Sequence, residues 1–267
     1  MFEPSEDLSM LVKCYWTLQD AAGDQPQRQS IVPDGCMEMI IHYGGLYLQY
    51  NECGSSFLQP RCFVMGQLSR PLEIEPSGST EIFSVRFRPH GFTHFSTFPI
   101  KKMENTGIPL ESIFGADGKH FENEMLSIHN VSNRIERVER FLLERLARSE
   151  TADQIVRSTV EMIITANGQI PIKALSHELR ISMRQLERKF HSAIGMSPKK
   201  LSKIIRFQGT LKMMLTKEYS SFTFMAHANN YYDQAHFIRD FRELVGVSPK
   251  EFYGKHLTLS TLFYGTK

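Results

Sequence analysis

Residues 190–201 read FHSAIGMSPKKL, and residues 241–252 read FRELVGVSPKEF. Each is Phe, four residues, Gly, any residue, then Ser-Pro-Lys, and the second begins 51 positions after the first. A local pattern written twice predicts a structural unit built twice. Upstream of the first copy, IPIKALSHEL (170–179) predicts a short helix with Pro171 in its first turn, where a missing N–H costs little. Arg180 and Ile181 make a turn. SMRQ (182–185) is a capping box, in which the Ser182 hydroxyl accepts a backbone N–H and the Gln185 side chain reaches back. The helix it opens places Leu186, Phe190 and Ile194 on one face, and Gly195 closes it. Ser197 caps the next helix, with Pro198 at its first position.

A short helix, a tight turn and a second amphipathic helix predict a helix-turn-helix. The outer face of the second helix carries Met183, Arg184, Glu187, Arg188 and His191. Arginines near a helix N-terminus reach base edges in a major groove, and the capped terminus offers N–H groups to a phosphate. The second unit has one extra turn residue. Ser221 caps its short helix, Asn230 takes the positive-φ position, and Asp233 caps the second helix. Phe237, Phe241, Leu244 and Val245 face inward. Gln234, Ala235, Ile238, Arg239 and Arg242 face outward. One long helix, SPKKLSKIIRFQGTLKMML, joins the units, with Leu201, Ile204, Ile205, Leu211 and Leu215 inside and Lys199, Lys200, Lys203 and Arg206 outside. Gly209 within it marks close approach of a neighbour. Two second helices held on one rigid spacer could enter successive major grooves, about 34 Å apart on one DNA face.

These residues bring residues 153–257 to a resemblance. NYYDQAHFIRDFRELVGVSPKEFY is similar to the signature of AraC/XylS-type bacterial transcription regulators, Gly-Phe-Ser-Asp-Gln-Ser-His-Phe-x-Arg-x-Phe-Lys-x3-Gly-x-Ser/Thr-Pro-x2-Tyr-Arg. Asn230 replaces its Gly, Ala235 its second Ser, and Tyr253 its final Arg. The first keeps the turn, the second alters a candidate base contact, and the third removes a positive charge. The resemblance implies sequence-specific binding of double-stranded promoter DNA and recruitment of RNA polymerase, most often as an activator. It also implies base-reading positions at Arg184, Glu187 and Arg188 in the first unit and at Gln234, Ala235, Ile238 and Arg239 in the second. Ser182, Met183, Lys199, Lys200, Lys203, Arg206 and Arg242 complete the expected DNA-contacting set. Arg239 has an alternative role as an ion-pair partner inside the fold, and Glu187 as partner to a neighbouring arginine.

The front half is different. VPDGCMEMIIHYGG, GQLSRPLEIEPSG and VRFRPHGF resemble an N-terminal domain that precedes this module in many bacterial regulators. Short runs such as MEMIIHY, LYLQY, CFVMGQL and EIFSVRF alternate and are cut by turn residues, which predicts a β-rich sandwich or a cupin-like barrel over 1–118. Helices follow over 119–150. NRIE (133–136) reads as a helix start, and Ile135, Val138, Leu142 and Leu146 form a stripe that the front domain or a second copy of the chain must cover. The all-α DNA-binding domain then occupies 151–257, and 258–267 is a tail. Residues 1–150 carry a net charge of −6 and residues 151–267 carry +8, as expected of a regulatory module joined to one that binds nucleic acid.

Composition bounds the rest. Across 267 residues, 41% are hydrophobic and 22% charged, the profile of a soluble globular chain. No stretch approaches the ~20 apolar residues that span a bilayer, and MFEPSEDLSML is no secretory signal, so cytoplasmic location is expected. Cys14, Cys36, Cys53 and Cys62 lie 22, 17 and 9 residues apart, too far for a common zinc pairing, and read as core thiols. His90, His94, His42 and Glu38 are the only metal candidates, and no metal or cofactor is expected. Arg86 and Arg88 share a strand face, where they either bind an anionic effector or lie exposed beside acidic surface. Tyr43, Tyr47, Tyr50, Phe63, Phe83 and Phe87 read as core rather than pocket. The competing functions are an enzyme fused to the module, as in alkyl-DNA repair proteins with close cysteine spacings, and an architectural DNA-binding protein without an inducer. No nucleophile–base motif or phosphate loop supports the first.

Overall fold

The alternating runs of the front half pair into two sheets. The computed structural model describes residues 1–20, 27–146, 154–216 and 221–252. Its strands are β1 (Val12–Asp20), β2 (Gln29–Ile31), β3 (Glu38–His42), β4 (Tyr47–Tyr50), β5 (Ser56–Leu58), β6 (Cys62–Met65), β7 (Leu72–Pro76), β8 (Thr80–Phe87) and β9 (Gly107–Pro109). One sheet runs β1-β8-β3-β6-β9 and the other β2-β7-β4-β5, all antiparallel.

Side-chain alternation gives the first sheet two buried faces. Met39, Ile41, Phe83, Val85 and Phe87 point to one side, into a core shared with three helices: α1 (Leu110–Phe114), α2 (Ala116–Ser127) and α3 (Val131–Leu146). Trp16, Phe63, Met65 and Ile82 face the second sheet and meet Tyr47, Leu72 and Ile74 there. The α3 stripe is thus covered by the front domain itself: Val138 and Leu142 are buried, and Ile135 and Leu146 are partly so. Phe121 of α2 stacks on Phe141 of α3 with ring centroids 3.9 Å apart. The cap of α3 is Asn130, whose Oδ1 accepts from the Ser132 and Asn133 N–H groups, and not the expected Asn133.

The C-terminal half is helical: α4 (Gln154–Thr165), α5 (Ile172–Glu178), α6 (Met183–Ile194), α7 (Pro198–Leu215), α8 (Phe222–Ala228), α9 (Gln234–Val245) and α10 (Pro249–Phe252). Asn167 and Gly168, at φ 49° and 72°, end the run of α4. Pro171 sits at the N-cap of α5, one place before its first turn. Leu186, Phe190, Ile194, Leu201, Ile204, Phe207, Phe237 and Phe241 share one core. The expected boundary at 150–151, Tyr253 and the tail 258–267 lie outside the described residues.

The two halves touch. Val32 of the front half packs into the C-terminal core. Gln208 of α7 donates to the Pro33 carbonyl at 2.5 Å, and Lys200 Nζ lies 3.1 Å from Glu104 Oε1. The turn at Gly35, φ 78°, lies against Leu201 and Ile205 of α7.

Candidate nucleic-acid interface and interior cavity

Both helix-turn-helix units are built by local chemistry. Arg180, at φ 52°, turns the chain between α5 and α6. Ser182 Oγ then accepts from the Gln185 N–H at 3.2 Å, while Gln185 Oε1 accepts from the Ser182 N–H at 3.2 Å. Gly195, φ 84°, ends α6 in the left-handed region that favours glycine. In the second unit Asn230 turns at φ 54°, Asp233 Oδ1 accepts from the His236 N–H at 2.6 Å, and Gly246 ends α9 at φ 83°. Each apolar face is buried, so the opposite face is left to solvent. Arg184, Glu187 and Arg188 of α6 and Gln234, Ala235, Arg239 and Arg242 of α9 are exposed, as is the cap Ser182. Met183 and Ile238 are half-buried, and Ile238 also packs on the core. Thr223 Oγ1 of α8 donates to Gln234 Oε1 at 3.0 Å, which orients that amide and keeps its NH2 as the donor.

The basic strip expected on the outside of α7 is arranged differently. Lys199 is exposed. Lys200 is half-buried and pairs with Glu104 of the front half. Lys203 lies 3.0 Å from Asp240 and 2.6 Å from Glu243, and Arg206 lies 3.3 Å from Asp240 and covers the Tyr231 ring at 4.5 Å. Both side chains are less than one-fifth exposed. They bind α7 to α9. Asp240, which sequence reasoning passed over, is the carboxylate that draws them in. Its only sequence signal is an acid spaced among the outward basic positions of α9.

A second site lies inside the front half. Between the sheets is a cavity of about 90 Å³. Its walls are apolar, with Trp16, Ile40, Ile82, Leu72 and Ile74 among them. Strand register sorts its polar groups into levels. Glu38 of β3 stands opposite Arg86 of β8, and His42, four residues along β3, stands opposite Ile82. At the first level Arg86 Nη1 lies 2.9 Å from Glu38 Oε1, and Arg86 Nη2 also contacts Asp34. Ser84 Oγ donates to Glu38 at 3.0 Å. Burial pushes the Glu38 carboxyl up to about 7, against the hydrogen bond from Ser84, and the Arg86 guanidinium in contact with it favours the ionised form. Gln208, from α7 of the other half, also lines the cavity.

At the far level His42 is 1% exposed between the rings of Tyr47 and Phe63. Neither ring nitrogen meets hydrogen-bond geometry with a neighbour, although the Gln59 amide lies beside it. Burial lowers its pKa to about 4, so the ring is neutral.

This placement corrects the expectation for Arg86. It is 2% exposed, not on acidic surface, because both faces of β8 are covered. Arg88 is half-buried and donates to the Ser9 carbonyl. Cys36 and Cys62 are buried thiols, but Cys53 is exposed and Cys14 half-buried. His90 and His94 stand with ring centroids 6.0 Å apart. Among the described residues no three His, Cys, Asp or Glu side chains converge as a metal-binding set, and no helix is long and apolar enough to cross a membrane.

Comparison with known proteins follows the same division. A family model described as "Helix-turn-helix domain" matches residues 175–254, and one described as "Domain of unknown function (DUF6597)" matches residues 1–109. No curated protein matches the sequence. Among solved structures, ToxT from Vibrio cholerae O395 bound to (E)-4-(8-methylnaphthalen-1-yl)but-3-enoic acid is 13% identical. The match covers 90% of this chain and 98% of that one, with a TM-score of 0.50. ToxT from Vibrio cholerae strain SCE256 with unsaturated fatty acid bound is 12% identical over 90% and 93% of the chains, TM-score 0.44. The C-terminal domain of AraT, a response regulator from Geobacillus stearothermophilus, is 23% identical over 39% of this chain and 87% of that one, TM-score 0.36. The first of these is a likeness of fold over nearly the whole chain.

Proposed function

We propose that the chain is a DNA-binding transcription regulator whose C-terminal helix-turn-helix domain reads two adjacent major grooves of promoter DNA with α6 and α9, under control of a small molecule held between the front sheets. One observation carries this reading. Both second helices start at a side-chain-capped N-terminus and expose an arginine-bearing face, while their apolar faces lock into one core. Arg184 and Arg188 on α6 and Gln234 and Arg239 on α9 are the base-reading candidates, with Glu187 and Ala235 beside them. Arg242, Lys199 and the first N–H groups of each helix are suited to phosphate. Lys200, Lys203 and Arg206 act as struts, since each already faces a carboxylate. Recruitment of RNA polymerase as an activator, action in the cytoplasm, and dimerisation through a surface other than the α3 stripe belong to the same reading. ToxT has been solved with acids bound, which supports a small-molecule effector on this fold.

The test is binding of the full chain to duplex DNA selected from a random pool. Affinity should fall steeply with salt, and Arg184→Ala should cost about 1–3 kcal/mol, concentrated at one base pair. A loss spread evenly over all sequences would replace base readout by an architectural role.

A further inference from the structure

Taking the cavity as the effector site of the proposed regulator, we infer that its ligand is a small, mainly apolar molecule with hydrogen-bonding groups at both ends and no carboxylate. The two polar levels lie four residues apart along β3, roughly 13 Å of strand. At one level are two carboxylates, Asp34 and Glu38, and one guanidinium, Arg86, which already touches both. An anion arriving there finds its counter-ion engaged and meets two like charges. A hydroxyl, amide or ammonium finds acceptors. At the other level is His42, fully buried beside the Gln59 side chain, which can serve at most one of its two ring nitrogens. A neutral imidazole offers one donor and one acceptor, so it suits a hydroxyl or amide. A ring nitrogen left without a partner is a desolvated polar group, and a ligand that meets it recovers the lost hydrogen bond. The walls between the ends are apolar side chains of both sheets, which suit a ring or short alkyl body. A volume of about 90 Å³ takes several water-sized units at ~10–15 Å³ each, so the ligand has on the order of ten heavy atoms.

Three probes share one skeleton and differ in end charge: tyrosol (neutral), tyramine (cationic) and 4-hydroxyphenylacetate (anionic). Calorimetric titration of each into the full-length chain reads the cavity directly. Tyrosol and tyramine should bind, and the acid should bind at least about tenfold more weakly, since a like charge is brought against Asp34 and Glu38. His42→Phe should weaken tyrosol and tyramine alike, and Glu38→Gln should narrow the gap between tyramine and the acid. Binding of the acid as tightly as tyrosol, binding of none of the three, or indifference to both substitutions overturns the inference. The wild-type ranking stands as a test even if a variant fails to fold. The regulator reading is judged separately, by salt-dependent duplex binding, and an acid-binding chain that still bound DNA would leave it intact.

Discussion

Asp240, 4% exposed, faces Lys203 at 3.0 Å, Arg206 at 3.3 Å and His236 at 3.5 Å. Removing one partner of a buried ion pair costs far more than removing an exposed one, because a charge is left without compensation. Asp240→Ala should therefore lower stability by about 3 kcal/mol, read from urea unfolding, while Arg242→Ala, on the exposed face, should change it by less than about 0.5 kcal/mol. Titration gives a second prediction at this scale. Burial depresses both His42 and His90 to about 4, against 6.5 when unfolded. Between those values the unfolded chain binds more protons, so stability falls as pH drops from about 6.5 to about 4. The melting temperature should fall through that window, and His90→Phe should flatten the fall. Arg88, His94, Arg157 and Glu161 are the charged or titratable neighbours of His90, and only Glu161 favours its protonation.

The helix boundaries show why some elements were legible in the sequence and others were not. A cap is a message written within four residues, so Ser182-x-x-Gln185, Ser197-Pro198, Asn230 and Asp233 could be read directly and stand where expected. Ser182→Ala removes the acceptor of the Gln185 N–H and should cost about 1 kcal/mol in thermal or urea unfolding, with α6 still formed. The start of α3 misled because two asparagines three residues apart both precede the apolar stripe, and only the backbone shows which turns into the helix. Strand faces misled for another reason. Alternation tells which residues share a face, but not what covers it. Arg86 and Arg88 share a strand face by that rule, yet Arg86 is enclosed because a second sheet lies over β8. The cavity was invisible for the same cause, since its lining comes from both sheets and from α7, and Gln208 is 175 residues from its partner Pro33.

At the scale of the whole molecule, the turn at residues 33–36 is one of the places where the two halves are joined, beside the Lys200–Glu104 pair and the packing of Ile100 against Gly195. The Pro33 carbonyl accepts from Gln208, Asp34 contacts Arg86 in the cavity, and Cys36 N–H donates to Asp34 Oδ1. Gly35 sits between them at φ 78°, where a side chain is strained. A Cβ there would also lie 2.9 Å from Leu201 Cδ1 of α7. A bulky side chain must then either displace the buried Leu201 side chain, and α7 with it, or pull the turn back into the front sheets. The first outcome is the cheaper, because the turn is fixed on its inner side by the ion pair at Arg86, while α7 is held to the front half by Gln208, Lys200 and apolar contact. Gly35→Val should accordingly loosen the two halves while each keeps its own core. Scanning calorimetry should then show a single transition for the parent chain and two for the variant, with the cavity probes binding to the front half as before. A single transition merely shifted to lower temperature would mean that the strain is taken up within the front sheets and that α7 does not yield.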